Sequence, residues 1–171
     1  MNADGRALAN YILDCCDANG WEVTNLALQK LMYFCHAWML VKYKAPLVRH
    51  PFEAWEFGPV LPYVYRDFKV HGDGRITTRA RSLDLQSGRR EVARLELEID
   101  KREFLDALIS FYGRLSAFDL VKMSHVTKGP WDQVWRHCGK ANPGMRIENQ
   151  LIEDFYSRSQ FPFPHEYGTL Q

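Results

Sequence analysis

"LALQKLMYFCHAWML" occupies residues 26 to 40 and carries a single charge, Lys30. At about 100° per residue, Leu28, Leu31, Met32, Cys35, Trp38 and Met39 gather on one broad face, the signature of a central core helix. Thr24 supplies an N-cap ahead of it, and Pro46 forbids continuation much past Lys44. Gln29, Tyr33, His36 and Leu40 fall at i, i+4, i+7 and i+11 and form a second stripe of mixed character. That stripe suits either a partner or another segment of the same chain.

Working towards the N-terminus, Leu8, Tyr11, Ile12 and Cys15 repeat at helical spacing over residues 4 to 19, and Asn19 with Gly20 gives a left-handed stop. Towards the C-terminus, "PFEAWEF" (51 to 57) is short and aromatic, which predicts extended chain. It runs into "GPVLP", where a residue before proline leaves the helical region and proline suits a first helical turn. A third helix follows with Val64 and Phe68 and ends by Gly72. Ile76, Thr78 and Ala80, then Ala93, Leu95, Leu97 and Ile99, alternate with polar residues, so the spacing predicts two strands. "QSGRRE" carries the turn chemistry of a hairpin between them.

The remainder reads as helices. Asp100 with Glu103 resembles a capping box ahead of Phe104, Leu105, Leu108, Ile109 and Tyr112, and Ser116 with Asp119 repeats it ahead of Leu120 and Met123. Pro130 opens a helix bearing Trp131 and Trp135, and a last helix runs from about Met145 to Tyr156. The expected fold is mainly α-helical (α+β), with six to seven helices and a small antiparallel hairpin. Residues 1–156 form one domain, and 157–171 form a tail rich in proline and aromatic side chains.

Charge and length exclude several functions. The chain has 171 residues, 22 Lys and Arg against 21 Asp and Glu, 46 % hydrophobic and 13 % aromatic residues. That is one core-forming domain without the bulk charge of a polybasic nucleic-acid binder. The longest run free of Asp, Glu, Lys and Arg, Leu31 to Val41, is 11 residues, about half of the ~20 needed to span a bilayer. Asp4, Arg6, Asp14 and Asp17 interrupt any apolar leader, so a cytoplasmic location is expected. Cys15, Cys16, Cys35 and Cys138 read as free thiols.

None of the strong signatures for a nucleophile elbow, phosphate loop, dinucleotide fold, zinc helix or paired thiols is present. Cys35 and His36 are adjacent on a helix and diverge by about 100°, and the six histidines lack ligand spacing. No enzyme, metal or cofactor is expected. His125 reads as a structural imidazole before Pro130, and Trp55 and Trp131 as rings locking corners. Residues 75 to 94 carry six arginines against Asp84 and Glu91, leaving Arg79, Arg81 and Arg90 as candidates for an acidic partner or, alternatively, nucleic acid.

Three blocks in order, "LALQKLMYFCHAWML" (26 to 40), "FEAWEFGPVLPYVYRDFKVHG" (52 to 72) and "LSAFDLVKMSHVTKGPW" (115 to 131), resemble the Panacea domain, the family of the SocA-like antitoxins and phage-associated GepA-like proteins. The resemblance implies an antitoxin of a bacterial or phage toxin–antitoxin pair. Such a protein neutralises a toxin, usually encoded next door, by binding it or by delivering it to an ATP-dependent protease. Hallmark residues of the family fall on Gln29, Lys30, Leu31, Tyr33, Ala54, Trp55, Gly58, Pro59, Val60, Ser124, His125, Pro130 and Trp131, with Phe57 where tyrosine is common. Residues shared across a domain that serves many toxins are expected to be scaffold. Partner contacts are expected on Gln29, Tyr33, His36, Leu40, Arg79, Arg81 and Arg90, and on Phe161 and Phe163 of the tail; the rival reading is a nucleic-acid-binding regulator using the arginine hairpin.

Overall fold

A computed structural model of the protein describes residues 2–85, 88–137, 142 and 144–162. Cys138 and residues 163–171 of the tail, Phe163 among them, lie outside them. Helix α1 (Gly5–Ala18) starts at Asp4, whose carboxylate accepts the Arg6 N–H at 2.9 Å. Helix α2 (Asn25–Tyr43) starts at Thr24, whose hydroxyl accepts the Ala27 N–H, and ends on Lys44 in the left-handed conformation. Strands β1 (Phe52–Trp55) and β2 (Gly58–Val60) form a tight hairpin that leads into α3 (Pro62–Phe68) and a 3-10 turn at Lys69–His71. Strands β3 (Arg81–Leu83) and β4 (Arg90–Val92) precede α4 (Ile99–Tyr112), α5 (Ala117–Ser124) and α6 (Pro130–Trp135). Strand β5 (Arg146–Ile147) and α7 (Asn149–Tyr156) complete the described chain.

Helix α2 is the axis of the molecule. Helices α1, α4, α5 and α7 and strand β2 pack around it, and burial runs unbroken from Ala27 to Val41. A helix apolar over most of its circumference belongs inside. Trp38 donates its indole N–H to the Tyr112 hydroxyl at 2.7 Å, and Phe34 stacks on Tyr112 with ring centres 4.7 Å apart. The antiparallel sheet β2-β1-β5 lies across this core, with Phe52 opposite Ile147 and Ala54 opposite Pro59.

Four expectations need correction. The strands expected over 75 to 81 and 93 to 99 do not form there, Arg81 apart; the ladder lies between those stretches, at Arg81–Leu83 and Arg90–Val92. At Ala80 and Ala93 the ladder keeps one bond, from the Ala93 N–H to the Ala80 carbonyl at 3.1 Å, and ends there because buried Asn10 of α1 replaces the reciprocal one: its oxygen accepts the Ala80 N–H at 2.8 Å and its amide donates to the Ala93 carbonyl at 2.8 Å and to that of Ala80 at 2.9 Å. The last helix begins at Asn149 rather than near Met145, since Arg146 and Ile147 pair with β1. The Asp100 and Glu103 capping box does not form, as the N-cap of α4 is Glu98, two residues earlier, without a side-chain cap; the Ser116 and Asp119 pair does cap α5.

The fourth correction concerns the mixed stripe. Gln29, Tyr33, His36 and Leu40 are all buried, so the chain's own segments cover what was offered to a partner. The Tyr33 ring meets Phe52 edge-on at 5.4 Å, and His36 is held by Asn149 and Val48. Phe161, another partner candidate, sits on the chain's own Trp38 and Phe104, ring centres 4.7 and 5.8 Å away.

Candidate functional site

Where α2, the β1–β2 hairpin and the α5–α6 corner meet, a small set of polar groups is enclosed. Lys30 points from α2 into the hairpin with no exposed surface, and its ammonium donates to the Pro59 carbonyl at 2.9 Å. No carboxylate pairs with it among the described residues. Burial alone therefore pulls its pKa down to about 7, because a desolvated ammonium without a counter-charge favours the neutral amine. Gly58 lies against it at φ +102, and a Cβ there would sit 2.6 Å from both Lys30 Cε and Ser124 Oγ. Only glycine meets both conditions.

The α5–α6 side closes the knot. Ser124 donates its hydroxyl to the Val121 carbonyl at 2.8 Å. The His125 ring stacks on Trp131, 3.6 Å between centres and 6° from parallel, and Trp131 stacks in turn on Trp135. Trp131 donates its indole N–H to the Trp55 carbonyl at 2.8 Å, tying α6 to β1. The Trp55 ring itself is only half-buried, edge-on to Tyr65 with its N–H on Glu53, so its backbone rather than its ring is the anchor. Asp132 accepts the Lys128 N–H at 2.8 Å and pairs with Arg136 at 2.6 Å, and its pKa lies below the usual carboxylate value, foremost through the backbone bond.

The comparison with known sequences decides what this knot belongs to. The family described as "Antitoxin SocA-like, Panacea domain" matches residues 28–132. Antitoxin SocA of Caulobacter vibrioides (strain NA1000 / CB15N) is 41 % identical over 155 residues, covering 90 % of this chain and 82 % of that protein. This chain belongs to the SocA-like Panacea family. No solved structure matches it.

In this Panacea domain the hallmark residues act together as scaffold geometry. Gln29 accepts the Leu61 N–H at 3.0 Å and donates to Asn25 at 3.2 Å, and Asn25 donates to the Tyr65 carbonyl, so one polar chain fixes the start of α3 on α2. His36 accepts the Val48 N–H at Nδ1, which leaves Nε2 to carry the proton and donate to Asn149 at 2.9 Å. Its burial lowers the imidazole pKa to about 4, so the neutral tautomer is the structural one. Ser124 and His125 do not make a nucleophile and base: the serine proton is directed at a backbone carbonyl and the imidazole is stacked on a tryptophan.

The hairpin arginines divide into two groups. Arg79 is held by Asp14 at 2.7 Å and Asp17 at 2.6 Å, and Arg75 by Asp17 at 2.8 Å, so α1 neutralises both and Arg79 is corrected from a partner contact to an internal clasp. Arg81 and Arg90 stay exposed on the β3–β4 hairpin. Cys16 and Cys35 are buried free thiols and Cys15 is half-buried. Among the described residues no group of three or more His, Cys, Asp or Glu could hold a metal ion, and no helix is long and apolar enough to cross a membrane.

Sequence reading placed Lys30 only through the family resemblance. Its own signal was available, since it is the lone charge between Glu22 and Lys42 on the most apolar helix. Asn10 was missed altogether. It sits among apolar residues on the buried side of α1 and was legible only as a polar interruption.

Proposed function

We propose that this chain is an antitoxin that neutralises a cognate protein toxin, encoded by an adjacent gene, through direct binding in the cytoplasm. The observation that carries this reading is 41 % identity to an antitoxin over 90 % of the chain. The geometry is consistent with it: the enclosed groups around Lys30 are engaged in holding elements together, which leaves recognition to the surface. Delivery of the bound toxin to an ATP-dependent protease is a second step of the same proposal, with the tail from residue 157, Phe163 included, as the presenting segment. The rival nucleic-acid reading loses support because Arg75 and Arg79, two of the six hairpin arginines, are already neutralised by α1.

Co-expression with the adjacent gene product tests this reading. Growth should be restored and the two proteins should co-purify. A toxic neighbour that is neither rescued nor captured contradicts it.

A further inference from the structure

A cleft of about 480 Å³ opens on the face bounded by the start of α1, the loop at residues 49 to 51, the start of α3 and β5. Its walls carry Arg49, Arg66 and Arg146, all exposed. These three differ from the chain's other well-placed guanidiniums. Arg6, at the edge of the same cleft, is neutralised by Asp67 at 2.5 Å; Arg79 and Arg136 likewise have carboxylates of their own. Among the described residues, no ion pair or hydrogen bond engages the side chains of Arg49, Arg66 and Arg146. One acidic side chain without an ion pair, Glu53, faces them, and it already accepts the Trp55 indole N–H at 3.0 Å. Arg6 shares its charge with both Asp67 and Asp4, so that trio is net negative by one; set against it and Glu53, the three free guanidiniums leave an excess of one positive charge in the concavity.

The floor is pre-formed. Tyr63 accepts the Gly5 N–H at its hydroxyl, 2.8 Å, and His50 packs edge-on against its ring at 5.0 Å. A rigid floor lowers the ordering cost of a bound segment. Guanidinium forks engage carboxylates and phosphates in pairs of parallel bonds, so the cleft is chemically a receptor for clustered oxyanions.

We propose that this cleft receives a short acidic segment of a protein partner, two or three carboxylates long, which on the reading above is the toxin. The inference rests on that reading for the partner's identity alone. A nucleic-acid backbone fits less well: a phosphate chain continues past any short site, whereas Asp4, Asp67 and Glu53 border this one and the whole chain carries a net charge of only +1. A polyanion needs an extended basic track. A short acidic loop needs only the cleft.

The test uses the full chain and a fluorescein-labelled hexaglutamate peptide, with inorganic phosphate and a 12-residue oligothymidine as competing probes. The triple variant Arg49→Gln, Arg66→Gln, Arg146→Gln is compared with the hairpin variant Arg81→Gln, Arg90→Gln. Peptide affinity should fall about ten-fold or more in the first and stay within about two-fold in the second, and should weaken as salt rises. The cleft variant should capture the toxin with a correspondingly slower association rate. Peptide binding unaffected by the cleft variant overturns the assignment, as does phosphate or oligothymidine binding more tightly than peptide through the same arginines. Toxin capture equal in wild type and cleft variant overturns the toxin as the occupant. Failure of the wild-type chain to bind the toxin at all, with the peptide result as expected, strikes the antitoxin reading and leaves the acidic-segment site standing.

Discussion

Between pH 7 and 9.5 the protein is expected to gain about 3 kcal/mol of stability relative to its Lys30→Met variant. In the folded chain the buried Lys30 ammonium releases its proton near pH 7, whereas the unfolded side chain holds it to about 10.5. Across that window the unfolded state binds more protons, so this residue's contribution to stability rises with pH and the methionine variant lacks the rise. At neutral pH the variant should be as stable as the wild type or more so, because methionine needs no solvation. Cys15 and Cys16 act in the opposite sense. Burial pushes their thiols up to about 11 and 12, so stability is lost as the unfolded thiols ionise above about 9. That loss is common to both proteins and cancels in the difference. Urea unfolding of the pair at the two pH values measures it, and parallel behaviour would mean that Lys30 stays charged in the fold.

Gly58→Ala should cost about 3 to 5 kcal/mol, combining the strain of a left-handed alanine with overpacking of an enclosed site. The methyl group would have to displace Lys30 Cε and Ser124 Oγ, each 2.6 Å away. Lys30 has no exposed surface into which to swing, and moving it breaks the bond to Pro59. Gly72→Ala is the matched comparison, since Gly72 also has positive φ but has no atom within 4 Å of its would-be Cβ. Thermal melts of the two should separate by well over the shift that backbone strain alone produces. Equal melting temperatures would mean that the knot yields at no cost.

Local signals carried much of the architecture. Thr24, Ser116, Pro62 and Pro130 mark helix starts because capping and proline preferences act within one turn, and the helices begin where those residues stand. What escaped the sequence depends on partners distant along it. The β3–β4 ladder ends at Ala80 and Ala93 because of Asn10, 70 residues earlier than Ala80. Ile147 is a strand residue because Phe52 lies opposite, and the mixed stripe of α2 is buried because the β1–β2 hairpin and α7 close over it. Charge was the hardest to read. Residues 75 to 94 look basic, yet Asp14 and Asp17 claim two of those arginines, while Arg49, Arg66 and Arg146, scattered over almost a hundred positions, converge on one cleft that no local window reveals.

The claim on which the rest depends is neutralisation by binding, without turnover. It is tested most directly by titrating this chain against a fixed amount of the toxin and following residual toxin activity. Stoichiometric binding predicts a linear loss with a break at a fixed molar ratio, unchanged by longer incubation. Complete inactivation by substoichiometric amounts, deepening with time, would contradict it.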